Sequence, residues 1–180
     1  ECVKARYAKL LKEQLSSVLP IADQNFSKFN MSFYSTRPDG RSGISPRENM
    51  EYNLGECKTY AAKFSKDSPN LLLFGSTGLG KTFLSTCIAE AVSARGFSVA
   101  YDTAINIVAA YETIKFGSGD GEAAAERAAR YERADLLIID DMGTEMGTAF
   151  TVSALYNLIN NRLMARRPMI INTNLLPETL

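Results

Sequence analysis

The chain of 180 residues has no net charge, with 20 Lys and Arg set against 20 Asp and Glu. No global basic field marks it as a nucleic-acid binder, so any DNA contact must come from a local patch. Its three cysteines, Cys2, Cys57 and Cys87, are too few and too scattered for a disulfide framework. Cys57 and Cys87 fall on apolar faces of predicted helices, which excludes the disulfide-stapled secreted class and fits a reduced, cytoplasmic setting. No run approaches the roughly 18 apolar residues of a membrane span, and no signal-peptide pattern opens the chain, so no membrane partner is expected. Internal repeats and long low-complexity stretches are also missing. Glu1 stands where an initiator Met is expected, which reads as a piece of a longer protein.

What is present is a hydrophobic content of 46%, enough to build one α/β domain. At this size such a domain buries roughly 70% of its unfolded surface. Gly75-Ser76-Thr77-Gly78-Leu79-Gly80-Lys81-Thr82 fills every fixed position of G-x-x-x-x-G-K-[ST]. Asn70 to Phe74 before it reads as a short buried strand, and Thr82 to Arg95 after it as a helix closed by Gly96. A tight glycine turn lets successive amide N–H groups face a β-phosphate, and the helix N-terminus adds partial positive charge. The expected ligands are ATP and Mg²⁺. Gly75 to Lys81 would cradle the phosphates, Lys81 reaching the β- and γ-phosphates, and Thr82 would place its hydroxyl on the metal, with Phe83 also counted in the binding segment.

Downstream, Asp135-Leu136-Leu137-Ile138-Ile139-Asp140-Asp141 runs four large apolar residues into two carboxylates. That is the pattern of a fully buried parallel strand whose carboxyl end meets a ligand, a Walker B strand. Asp140 would hold the water shell of Mg²⁺ and Asp141 would orient the attacking water, with Glu145 in reserve. A third strand, Met169 to Asn174, ends in small polar residues and resembles sensor I of AAA+ ATPases. Asn174 would then lie between the two Walker strands and meet the γ-phosphate or the water, with Asn172 and Thr173 as substitutes. Local backbone hydrogen bonding is the competing role for such residues.

Leu136 to Glu145, Leu-Leu-Ile-Ile-Asp-Asp-Met-Gly-Thr-Glu, resembles the Walker B block of the DnaC/DnaI/IstB group of AAA+ ATPases. Gly43 to Met50 and Phe26-x-x-Phe29 followed by Phe33-Tyr34 are similar to the loader members, so the resemblance covers most of residues 24–180. It implies a three-layer, parallel-sheet P-loop domain, ATPase activity, a replicative DNA helicase and single-stranded DNA as partners, and self-association of the full-length protein. A transposition helper of the IstB kind is the alternative, and a nucleotide-switched binding module with little hydrolysis a third. The resemblance divides the chain into an amphipathic helix and linker over 1–23, remnant of an upstream region, and an AAA+ core over 24–180. That core lacks its last strand and lid, and no arginine follows Asn174 to serve as finger or sensor II, so weak hydrolysis by this chain is expected.

The resemblance also implies that an aromatic among Phe26, Phe29, Phe33 and Tyr34 wraps the adenine side, although packing against the sheet is an equal role for them. It places DNA contacts near Lys115, Arg127, Arg130 and Arg133, where interspersed Glu122, Glu126 and Glu132 favour a solvated face. A helix over 149–167 presents Val152, Leu155, Tyr156, Ile159 and Leu163 at core spacing and ends in Arg162, Arg166 and Arg167, cations suited to a helix C-terminus.

Overall fold

The computed structural model describes residues 24–40, 42–117, 119–143 and 147–176, together with Ala5, Arg6, Lys9 and Glu13. Apart from those four, which are helical and exposed, the amphipathic helix and linker expected over residues 1–23 lie outside the described residues. Glu145 lies outside them as well.

Two short 3₁₀ turns, Phe26–Lys28 and Met31–Phe33, are each opened by an Asn side chain that accepts an amide N–H, Asn25 from Ser27 and Asn30 from Ser32. Helix α1 spans Pro46–Lys63 and starts with a capping box. In it the Ser45 hydroxyl accepts from Glu48 N at 3.2 Å and the Glu48 carboxylate accepts from Ser45 N at 2.8 Å. Strand β1 (Leu71–Phe74), helix α2 (Lys81–Ala94), strand β2 (Val99–Thr103), helices α3 (Ala104–Phe116) and α4 (Gly121–Arg133), strand β3 (Leu136–Met142), helix α5 (Ala149–Met164) and strand β4 (Met169–Thr173) follow. Thr103, Asp120 and Thr148 accept amide N–H bonds at the starts of α3, α4 and α5.

All pairings are parallel, in the order β1-β4-β3-β2. Successive strand side chains point to opposite faces, and helices cover both faces of β2, β3 and β4. Leu136, Ile138, Ile170, Val99 and Tyr101 pack with α1 and α2 on one side. Leu137, Ile139, Met169 and Ala100 pack with α3, Tyr131 of α4 and α5 on the other. Among the described residues no helix is long and apolar enough to cross a membrane.

The expected elements are present, with three corrections. The apolar run Phe97 to Tyr101 reads as a strand in the sequence, but β2 starts and ends two residues later. Ser98 N and Oγ both bind Asp135 Oδ2 at 2.9 Å and so precede the ladder, while Asp102 stays inside it because Tyr131 Oη donates to its carboxylate at 2.7 Å. Strand β1 is not buried on both sides, since Leu72 and Phe74 are 43% and 51% exposed.

Helix α5 turns a different face inward from the one its apolar spacing suggests. Val152, Tyr156 and Leu163 are exposed, whereas Thr151, Leu155, Leu158 and Arg162 are buried. Arg162 does not cap its own helix. Its Nη1 donates to the carbonyls of Tyr131, Glu132 and Ala134 at 2.7, 3.2 and 3.1 Å, and its Nη2 to Pro168 O at 2.8 Å. It therefore satisfies the free carbonyls at the end of α4 and ties them to the start of β4. Burial, with the neighbouring Arg167 charge adding and Asp135 opposing, pulls its pKa down to about 10.

Removing that side chain strands several buried carbonyls, each costing about 1–3 kcal/mol when unpaired. Arg162→Met should therefore lower stability by about 3 kcal/mol in urea denaturation. Tyr156→Ser, on the outward face of α5, should change it by less than about 0.5 kcal/mol.

Candidate nucleotide-binding site

The site grows out of strand alternation. On β3, Leu136 and Ile138 face α2, so Asp140 does too; on β4, Ile170 faces α2, and Asn172 follows it. Because β4 lies between β1 and β3, the ends of the three strands converge on the N-terminus of α2. Thr82 Oγ1 donates to Asp140 Oδ1 at 3.2 Å, joining positions 58 residues apart. Lys81 Nζ donates to Gly75 O at 2.7 Å, Ser76 O at 3.0 Å and Asn174 Oδ1 at 2.7 Å, which brings the first and third motifs together. Ser76, Thr77, Gly78 and Leu79 are exposed along the loop.

Asp140 is 1% exposed. Besides Thr82 it accepts Tyr101 Oη at 2.5 Å, Asn172 Nδ2 at 2.8 Å and Asp141 N at 3.0 Å. Tyr101 and Asn172 in this role were not anticipated. The signal was the alternation along β2 and β4, legible only once strand register is known. Thr173, the other sensor substitute, donates its hydroxyl to Met142 O at 2.7 Å and so clasps the end of β3.

Asp141 sits at φ 52, left-handed, where the β3–β4 register shifts between Ile139 and Met142. A bulge of this kind re-aims a side chain, and Asp is among the few residues that tolerate the conformation. Asp141 is exposed at the rim. Partial burial and the neighbouring Asp140 charge push its pKa up, against the pull of Lys81. Desolvation lowers the pKa of Lys81, opposed by Asp141 and Asp140.

Beside the loop a cavity of about 460 Å³ is lined by Phe29, Phe33, Tyr34, Leu79, Gly80 and Phe83 among others. Phe29 stacks on Tyr34 at 5.8 Å and meets Phe83 edge-on at 5.4 Å, while Tyr34 Oη donates to Leu79 O at 3.1 Å. Of the four candidate aromatics, Phe29 and Tyr34 brace the loop, Phe33 contributes an exposed ring, and Phe26 packs on the core. Lys115 is elsewhere, its ammonium 4.5 Å from the centre of the Phe150 ring, and Arg127 and Arg133 are exposed on α4 with Arg130 half-buried.

A hydroxyl and a carboxylate in contact are hard oxygen donors that suit Mg²⁺, which usually takes one or two protein oxygens and completes its shell with phosphates and water. Among the described residues no three His, Cys, Asp or Glu side chains cluster as an all-protein metal cage.

A parallel α/β sheet with a glycine loop between β1 and α2, and a carboxylate at the end of a neighbouring strand, defines a P-loop nucleotide-binding domain. Residues 55–178 match the family of IstB-like ATP binding proteins, and the chain belongs to that family. It is 24% identical over 161 residues to the replicative helicase loader DnaC of Escherichia coli K12, an alignment that covers 81% of this chain and 65% of DnaC. The crystal structure of the DnaC helicase loader superposes with a TM-score of 0.61 at 18% identity, covering 84% of this chain and 79% of that one. The replication initiator DnaA bound to AMPPCP and single-stranded DNA superposes with a TM-score of 0.58 at 24% identity over 72% of this chain and 39% of that one. The fold is thus that of the AAA+ domains.

Gly80, at φ 90, is where the brace meets the loop, and a Cβ there would lie 2.7 Å from Tyr34 Oη. Gly80→Ala should cost about 1–2 kcal/mol for the left-handed backbone plus the displacement of Tyr34. Adding Tyr34→Ala should remove only the second part of the coupling, which a double-mutant cycle in urea measures.

Proposed function

We propose that this chain binds Mg-ATP at the N-terminus of α2 and hydrolyses it, as the nucleotide-controlled part of a helicase-loader-like AAA+ protein acting with a replicative helicase on single-stranded DNA. The observation that carries the reading is the convergence of Lys81 and Asn174, and of Thr82 and Asp140, at one end of the sheet. In this reading the loop amides from Gly75 to Thr82 receive the phosphates, and Lys81 exchanges its present oxygen acceptors for phosphate oxygens. Thr82 and Asp140 hold Mg²⁺, which neutralises phosphate charge when bound. Asp141, raised on the bulge, orients the attacking water, and Asn174 meets the γ-phosphate or that water. The aromatic cavity of Phe29, Tyr34 and Phe83 adjoins the loop and takes the base side.

Helicase and single-stranded DNA as partners rest on the likeness to DnaC and on the DNA-bound DnaA neighbour. Membership of the IstB-like family favours a second reading, a transposition helper acting with a transposase. Pull-down from purified components separates the two: ATP-dependent retention of a replicative helicase supports the first, and retention of a transposase alone supports the second.

Titration with a fluorescent ATP analogue tests the site. Lys81→Ala should abolish binding while leaving the melting curve near wild type, and unchanged affinity would refute the assignment. In the full-length protein Asp141→Asn should bind ATP normally and hydrolyse it at least about ten-fold more slowly. Normal turnover by Asp141→Asn with loss in Glu145→Gln would transfer the water-handling role to Glu145.

A further inference from the structure

We infer that Tyr101 and Asn172 are positioning residues that fix the Asp140 carboxylate in the orientation in which it and Thr82 take up a divalent cation. This rests on the Mg-nucleotide reading of the same site. Tyr101 is 1% exposed and Asn172 fully buried, so both act from beneath the site. Tyr101 holds Oδ2 of Asp140, and Asn172 holds Oδ1 from the opposite neighbouring strand. Asn172 Nδ2 also donates to Ser85 Oγ at 2.8 Å, and Ser85 donates to Thr82 O at 3.1 Å. A closed path therefore runs from β3 through β4 to α2 and back to the cation-binding threonine.

Asn172 makes these two donations while its own buried Oδ1 has no partner among the described residues. A stranded polar atom of that kind costs about 1–3 kcal/mol, which core packing alone gives no reason to accept. Among the four donors to Asp140, the Thr82 hydroxyl is the longest contact, at 3.2 Å. A hydroxyl also rotates freely, so this is the bond that yields when a cation enters. The other three, one backbone amide and two buried side chains, keep the carboxylate plane in place. Partners that orient a metal-binding carboxylate typically change metal affinity by about 10–100-fold when removed.

Tyr101→Phe removes one oxygen and keeps the ring that packs against Leu136 and Ile138. The experiment measures binding of a fluorescent ATP analogue in EDTA and then across a Mg²⁺ titration. Affinity in EDTA should stay within about two-fold of wild type, while the Mg²⁺ midpoint rises about ten-fold. Placed on Asp140→Asn, the same change should shift the midpoint no further. Should Tyr101→Phe fail to fold, as judged by circular dichroism in EDTA, Asn172→Ala carries the same expectations. A wild-type Mg²⁺ midpoint in a folded variant, or an equal shift on the Asp140→Asn background, overturns the positioning role alone. If Mg²⁺ leaves nucleotide binding by the wild-type chain unchanged, the Mg-nucleotide reading falls and the positioning role with it.

Discussion

A carboxylate with almost no access to water has to be held by hydrogen bonds, and Asp140 is held by four donors from four separate places: β2, β4, the N-terminus of α2 and its own strand end. That convergence depends on two constraints. Side-chain alternation turns Asp140, Asn172 and Tyr101 toward the same helix, and the order β1-β4-β3-β2 places their strands side by side. A shift of β3 by one residue would send Asp140 into the layer of Leu155 and Leu158 and break the contact with Thr82. The glycine loop alone would not make the site, since Lys81 is oriented as much by Asn174, the residue just past β4, as by the carbonyls of its own loop.

The parts of the fold that could be read from sequence are those where local chemistry and burial agree. The glycine loop, the apolar run into Asp140-Asp141 and the strand ending in Asn174 each carry their own signal, and the structure brings all three to one end of the sheet. The rest failed where tertiary contacts satisfied groups that looked out of place. Asp102 stays in β2 because Tyr131, 29 residues away, donates to it. The inward face of α5 includes Arg162, whose burial is possible only because four carbonyls from α4 and the start of β4 surround it. With an arginine inside and Val152, Tyr156 and Leu163 outside, apolar spacing could not distinguish the faces. Nothing local marks Tyr101, whose hydroxyl gains its role only through the register that sets it beside Ile138, two residues before Asp140.

The two ends of the sheet are built for different purposes. At the amino ends of β3 and β4, Arg162 and the Asp135–Ser98 bonds lock helices to strands with groups that have no exchangeable partner in the nucleotide reading. At the carboxyl ends, Lys81 and Thr82 hold contacts that a phosphate or a cation can replace, and Asp141 occupies a left-handed bulge. Rigidity below and exchangeable contacts above is the arrangement expected of a site that changes state with its ligand. The chain spans 65% of the length of E. coli DnaC.

Amide hydrogen exchange with and without Mg-ATP tests the account most directly, because it reports on every part of the proposed site without altering a residue. Protection should rise at residues 75–83 and at the strand ends 140–143 and 172–174, with little change around Arg162 and the end of α4. Unchanged exchange at residues 75–83 under saturating Mg-ATP, or protection centred on the Arg162 end of the sheet, would contradict it.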